Sequence, residues 1–291
     1  MSFKVLPFLQ LTKPSIVFFV LITSLAALAG QGFLFVDWQR SLYIIVAIGA
    51  AAGSANAFNQ YLDRDIDQLM NRTKSRRPIP QGLVSPRAAF IFAVIMGIGS
   101  TLYLWMYWTP LAAMISLATI FYYAVFYTLI LKRRHHYNIV IGGAAGAAGP
   151  LIAWAAVAGE VSVYAWLMFL IIFMWTPPHF WALALAIKDE YKSVHVPMLP
   201  VTHGVKRTEL EIWIYTLILL PLSALPYVLG DTGKFYLYAS IVLWLWYFVA
   251  TKVGLKRGQR KDLLKLFGVS IIYLFLIFIA MIVDGGLRFS S

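Results

Sequence analysis

Twelve of the 291 residues in this chain are Asp or Glu, and three of them crowd into NQYLDRDIDQLMNR, residues 59–72. On a helix, Asn59, Asp63 and Asp67 fall at i, i+4 and i+8 and share one stripe, with neighbouring Cβ atoms about 5–6 Å apart. Asp65 points elsewhere, to solvent or to Arg64. Like charges stacked this way repel unless a cation lies against them. Such oxygen donors suit Mg2+, which takes one or two carboxylates, keeps several waters and accepts phosphate oxygens as further ligands. A calcium-binding loop is excluded, because Gln68 and Lys74 stand where it needs a glycine and a bidentate glutamate. The plainer alternative is a few charges that end a helix at a membrane interface.

Basic residues surround the stripe. Arg72, Lys74, Arg76 and Arg77 follow it, and Lys132, Arg133 and Arg134 form a second run. Cations mixed with carboxylates fit a metal-bound diphosphate, with acids on the metal and Lys or Arg on phosphate oxygens. Arg72, Lys132 and Arg133 are the first choices for those phosphate contacts, with Arg77 beside them. A second acidic pair, Asp189-Glu190, opens KDEYKSVHVPMLPVTHG (188–204). Like the first loop, which runs through RRPIPQG (76–82), it starts with acids at a span end, reaches a proline-rich turn and closes on glycine. A weak repeat of this kind places a shared site between two halves of a membrane protein.

The elements that must hold these residues are transmembrane helices. The chain is 61% hydrophobic and 12% charged, about half the charge of an ordinary soluble domain. Runs of roughly 20 apolar residues, enough to span a bilayer, recur near 15–35, 42–62, 87–107, 109–131, 138–158, 163–187, 209–229, 233–252 and 264–284. The expected fold is therefore all-α: one polytopic membrane domain over 1–291, with signature loops at 59–87 and 188–207. Of the 24 Lys and Arg residues, all but Arg40, Lys234 and Arg288 fall on one side of these spans. The positive-inside rule then predicts an N-in, C-out chain with an odd number of spans. The charge of +12 encodes topology, and no nucleic-acid partner is expected. Lys4 and Lys13 precede the first span without a cleavage site, so no cleavable signal peptide is expected. Cysteine is absent, which excludes disulfides, thiolate nucleophiles, iron–sulfur clusters and zinc knuckles.

His179 is the one histidine inside a span, directly after Pro177-Pro178. Two prolines remove backbone donors and predict a kinked or opened helix. An intramembrane histidine faces a cavity or the bundle interior. It serves there as a contact to a bound ligand or as a packing residue bonded to a freed carbonyl. His135, His136, His195 and His203 lie in loops. Gly142, Gly143, Gly146 and Gly149 predict close helix packing.

Taken together, these stretches resemble the intramembrane UbiA-type prenyltransferases. Asn59, Asp63 and Asp67, followed by Arg72 and Arg77-Pro78, are similar to that family's first signature, and YTLILKRR (127–134) to its basic segment. MNRTKSRRPIPQG (70–82), NIVIGGAAGAAGPLIAWAAVAG (138–159) and TPPHFWALALAIKDEYKSVHVPMLP (176–200) resemble its protoheme IX farnesyltransferase (heme O synthase) branch. The resemblance implies nine helices around a central cavity in the plasma (inner) membrane, with the site facing the cytoplasm. It implies Mg2+ held by Asn59, Asp63, Asp67 and one or both of Asp189 and Glu190. It implies transfer of a farnesyl group from farnesyl diphosphate to a vinyl carbon of heme b, with Tyr191 and His179 among the substrate contacts, His179 either as an axial contact to heme iron or through a hydrogen bond to the substrate. A downstream heme A synthase is the further partner it brings into view. Many relatives carry D-x-x-x-D in the second loop. Here Ser193 takes the last place, which leaves Asp189 and Glu190, ahead of Tyr191, as the acids available. Tyr127, Trp175 and Trp181 are aromatic candidates for shielding a carbocation.

Two other readings compete. A prenyltransferase of aromatic quinone precursors shares the diphosphate chemistry but not TPPHFWAL or VPMLP. A transporter shares the spans and the hint of a repeat, but its polar groups would lie near the bilayer midplane rather than at helix ends.

Overall fold

The computed structural model describes residues 5–289, Arg72 by its backbone only. Lys4 lies outside the described residues. Nine long helices carry them: α1 Pro14–Gly30, α2 Trp38–Leu62, α3 Pro86–Tyr107, α4 Pro110–Arg134, α5 Asn138–Ala158, α6 Val163–Ala186, α7 Gly204–Val228, α8 Lys234–Arg257 and α9 Arg260–Phe289. No strand occurs among the described residues. Eight of these helices are long and apolar enough to cross a membrane, and there are nine such spans if α1 and the short helix Val5–Leu11, which meet at a 59° bend, are counted as one. The ends depart from the sequence expectation by little more than a helical turn. The first span is shorter than expected because the chain turns at Gly32, whose φ of +74° suits glycine.

Helix starts carry the usual side-chain acceptors for orphan N–H groups. Asp37 accepts from Arg40 N (2.9 Å), Thr109 from Ala112 N (3.2 Å) and Ser162 from Ala165 N (3.1 Å). The start of α8 is capped from a distance. Buried Asp284 of α9 accepts from Gly233 N (2.7 Å) and Tyr236 N (3.2 Å). Asp284→Ala is expected to cost about 1–2 kcal/mol, read as an earlier unfolding midpoint in a denaturing-detergent titration.

Each helix packs on the next, and α9 packs back on α1, so the nine close into a ring. Helix α3 shows how the sides are chosen. Ile91, Ile95, Ile98 and Leu102 face outward, while small Ala89, Ala93 and Gly97 face α2. Ser54 of α2 donates to Ala93 O (2.7 Å), and a Cβ on Gly97 would lie 2.7 Å from the Ser54 hydroxyl. Close approach of small residues replaces the hydrophobic effect as the glue between helices in lipid. The end of the ring away from the acidic loops is filled by apolar side chains, Leu28, Ile44, Ile48, Ile152, Met168 and Ile171 among them. Asp63 and Asp67 are buried at the other end.

Candidate active site

Helix α2 stops at Leu62, yet its register carries across the break. Asp63 N donates to Asn59 O and Asp67 N to Asp63 O, both at 2.9 Å, leading into the short helix Arg64–Leu69. The stripe of Asn59, Asp63 and Asp67 is thus preserved, and all three are buried, at 2%, 0% and 1% exposure. Buried charges need partners, and three basic residues supply them. Lys132 pairs with Asp63 Oδ2, Arg77 pairs with Asp67 Oδ2, and Lys13 donates to Asn59 Oδ1 (2.7 Å). The Asn59 amide donates to Asp63 Oδ2 (2.9 Å) and to Thr128 Oγ1 (3.1 Å). Burial pushes the Asp67 carboxyl above the usual carboxylate range; Arg77 opposes this and the charge on Asp63 adds to it.

Each partner arrives by a local device. Lys13 sits at the bend before α1 with φ +52°, a left-handed conformation that a non-glycine residue seldom adopts. Asn56 donates to Thr12 O, and Gln60 to Gln10 O and Leu11 O, all at 3.0 Å, satisfying carbonyls freed at the end of Val5–Leu11. Between Tyr122 and Leu131, α4 is π-helical, a wide turn found mostly at functional sites. Thr128 there donates to Tyr123 O, five residues back (2.7 Å), and Lys132 follows directly, turned onto Asp63. Arg77 lies in the loop after Asn71–Lys74, where Thr73 donates to Asp67 O (3.0 Å).

The structure groups some of the expected residues and separates others. Arg133 is not beside Asp63 and Asp67. It turns outward and grips Asp65 with two hydrogen bonds (2.7 and 2.8 Å), donating also to Leu62 O. Asp65 is exposed at the rim, as expected, with Arg133 rather than Arg64 as its partner, and the Arg133 hydrogen bonds hold its carboxyl below the usual range. Arg64 instead lies over the Tyr61 ring, 4.7 Å from its centroid. The side chain of Arg72 lies outside the described residues. The two loops do meet: Ile66 and Met70 of the first pack with Tyr191, Val196 and Met198 of the second in one apolar cluster. Within the second loop Asp189 is exposed, whereas Glu190 has a buried carboxylate oxygen, Oε2, with no hydrogen-bond partner among the described residues. Lys13 is the site residue that sequence reading assigned to topology alone. A lysine directly before proline at the mouth of a span, opposite Asn56 and Gln60, was the signal available.

Contacts lead inward from the acids. The Tyr127 ring stacks on Tyr123 (5.3 Å) and fills the space left by Gly142, where a Cβ would come within 2.2 Å of it. Gly143 lets α5 approach Thr176 of α6. One turn on, His179 lies between Trp175 and Phe267, stacked on them at 4.2 and 4.3 Å. Helix α6 runs through Pro177 and Pro178 without the expected opening. It is pinned to α9 on either side of them, by Trp175 Nε1 donating to Ser270 O (2.8 Å) and by His179 Nδ1 at 2.7 Å from Ser270 Oγ. The Ser270 hydroxyl donates to Phe267 O (2.6 Å), so its oxygen accepts from Nδ1–H, and the lone pair of the neutral ring is on Nε2. His179 is thus bonded to a side chain of α9 and not to a carbonyl freed by the prolines. Trp181 is fully buried, edge-on to Tyr215.

A Mg2+ ion is the group such a site would hold, and one observation tests the fit. Asp63 Oδ1 is buried with no hydrogen-bond partner among the described residues. A naked carboxylate oxygen in that position costs free energy unless a cation or donor meets it. No set of three acidic, His or Cys side chains is close enough to ligate a metal among the described residues. Asp189 and Glu190 therefore do not join Asp63 and Asp67 in one ligand cluster, and only one or two carboxylates are available at the stripe.

A family model described as the UbiA prenyltransferase family matches residues 19–282. The chain belongs to the UbiA prenyltransferase family. The prenyltransferase is 46% identical over 278 residues to a protoheme IX farnesyltransferase of Stutzerimonas stutzeri (strain A1501), covering 95% of this chain and 92% of that one. It is likewise 46% identical over 286 residues to a protoheme IX farnesyltransferase of Gloeobacter violaceus, covering 97% and 92%. Among solved structures, the prenyltransferase superposes on a digeranylgeranylglyceryl phosphate synthase with a TM-score of 0.78 at 19% identity, covering 97% and 98% of the two chains. It superposes on a UbiA homolog from Archaeoglobus fulgidus bound to DMAPP and Mg2+ with a TM-score of 0.68 at 16% identity, covering 94% and 98%. At those identities the structural matches establish the shared fold.

Proposed function

We propose that this prenyltransferase moves a farnesyl group from farnesyl diphosphate to a vinyl carbon of heme b, with addition of water, giving heme O and diphosphate. The observation that carries the chemistry is the buried stripe of Asn59, Asp63 and Asp67, with Asp63 Oδ1 unpartnered and Lys13, Arg77 and Lys132 against it. The relatives named protoheme IX farnesyltransferase support heme as the acceptor. The whole chain acts as one domain in the plasma membrane with this site facing the cytoplasm, as the positive-inside rule favours.

Asp63, Asp67 and Asn59 would hold one Mg2+, and Glu190, with Asp189 behind it, a second. When bound, the metal supplies positive charge that neutralises the diphosphate as it leaves. Lys132, Arg77 and Lys13 are fixed before substrate arrives, so they stabilise that developing charge without reorganising. Arg72 contributes from the same loop. Arg133, held by Asp65, is the outer steering charge. The C1–O bond of farnesyl diphosphate breaks, and the diphosphate departs with the electron pair. The vinyl group attacks the allylic cation, water adds to the second cation, and a proton is released. Tyr127, stacked on Tyr123, offers an aromatic face to the cationic stage, and Trp175 shields it from further along the interior. Trp181, buried in packing, supports the wall. Tyr191 joins the two loops behind the acids.

His179 orients the porphyrin. Its Nδ1–H is fixed by Ser270, and such a bond sets tautomer and ring angle in histidines that bind metals. Nε2 would then be the ring atom left to contact heme iron. His179→Ala is expected to abolish the shift of the Soret band on adding heme b, while farnesyl diphosphate still binds. A Soret shift retained in the variant would show that the histidine only packs.

The overall reading is tested by incubating purified protein with farnesyl diphosphate, Mg2+ and either heme b or a hydroxybenzoate, followed by mass spectrometry. A porphyrin gaining one farnesyl group and one hydroxyl is the expected product. Prenylated hydroxybenzoate with unchanged heme would move the protein to quinone chemistry.

A further inference from the structure

Away from the prenyl-transfer site, a groove of about 220 Å³ opens between α8 and α9 where the two helices meet at their shared turn. Spans alternate in direction, so this turn lies on the same membrane face as the acidic loops. Val249 and Val253 from α8, with Leu266 and Val269 from α9, give the groove apolar walls, while Arg257 and Lys265 stand at its mouth. Both basic side chains are exposed. Residues 252–265 hold six Lys and Arg against a single acid, Asp262. That acid also lines the groove: it lies in the first turn of α9, where the helix N-terminus favours a negative charge, its Oδ1 is 3.6 Å from Arg257, and its Oδ2 is buried with no hydrogen-bond partner among the described residues.

An apolar slot that runs down from a cationic rim matches one kind of occupant. We propose that the groove binds an anionic glycerophospholipid, one acyl chain lying along Val249, Val253, Leu266 and Val269 and the phosphate resting on Arg257 and Lys265. Basic pockets between transmembrane helices recognise lipid headgroups in this way. Lys and Arg stems also bury readily along apolar surface while their charges stay at the interface. A zwitterionic lipid would present the rim with its own cation as well as its phosphate, so selection by charge distinguishes a built site from the general lipid coat.

Native mass spectrometry of the purified full chain, given equal amounts of phosphatidylglycerol and phosphatidylcholine with identical acyl chains, reads this selection. Phosphatidylglycerol should be the retained lipid. Arg257→Gln with Lys265→Gln should weaken its binding about 30-fold, at about fivefold per basic side chain. Val253→Trp fills the slot from an exposed position and leaves the charges in place, and it should release the lipid as well. Equal retention of the two lipids by the unaltered protein, or survival of the preference in either variant, would overturn the proposal.

Discussion

Asp63→Asn is expected to reduce kcat by about 100- to 1,000-fold, the scale on which removing one preorganised electrostatic group acts. Asparagine keeps the shape of the side chain and one oxygen for Asn59 and Lys132, but not the charge that would meet a metal ion. The substitution also strands Lys132, whose partner is fully buried. Removing one member of a buried pair costs about 3–5 kcal/mol, so the yield of folded protein should fall too. Turnover per folded molecule separates the two effects. Asp65→Asn is the matched control. It removes a carboxylate two residues away that is 59% exposed and pairs with Arg133 at the rim. An exposed pair is worth about 0–1 kcal/mol, and turnover should be unchanged. Equal loss in both variants would mean that general acidity of the loop, and not the buried stripe, matters.

Lys132→Met should cause a loss of similar size. It removes the charge that faces Asp63 in the resting protein and that would face the departing diphosphate in the reaction. Lys132→Arg is not expected to restore activity, because a planar fork cannot take the place of a compact ammonium at a fixed position. The double variant Asp63→Asn with Lys132→Met gives the sharper result. Neither partner then remains buried with an uncompensated charge, so stability should recover by several kcal/mol relative to the single variants. Activity should not recover. Stability measured by detergent denaturation, alongside turnover, would show whether the pair is a structural strut or part of the reaction. Recovery of both together would make it a strut.

Much of this site was legible in the sequence for one physical reason: helical period survives small breaks. The chain leaves α2 at Asp63 and starts a new short helix, yet the i to i+4 hydrogen bonds continue, so Asn59, Asp63 and Asp67 stay aligned. The spans were legible because lipid leaves backbone groups no partners but each other, which makes long apolar runs helical. What escaped was set by contacts distant in sequence. Lys13 reaches Asn59, 46 positions away, only because Asn56 and Gln60 hold a bend in the chain. The division of labour between Lys132 and Arg133 depends on the π-helical turn before them, which rotates one inward and the other out to Asp65. Neither residue type announces such a turn. The prolines of α6 predicted a kinked or opened helix; the helix stays unbroken across them, with Trp175 and His179 bonded to Ser270 on either side.

The central claim is that the buried stripe binds diphosphate through Mg2+, and calorimetry with farnesyl thiodiphosphate, an unreactive analogue, tests it most directly. The unaltered protein should bind the analogue with Mg2+ present and lose it when the metal is chelated. Asp63→Asn should not bind under either condition. Equal affinity with and without Mg2+, retained in Asp63→Asn, would contradict the claim.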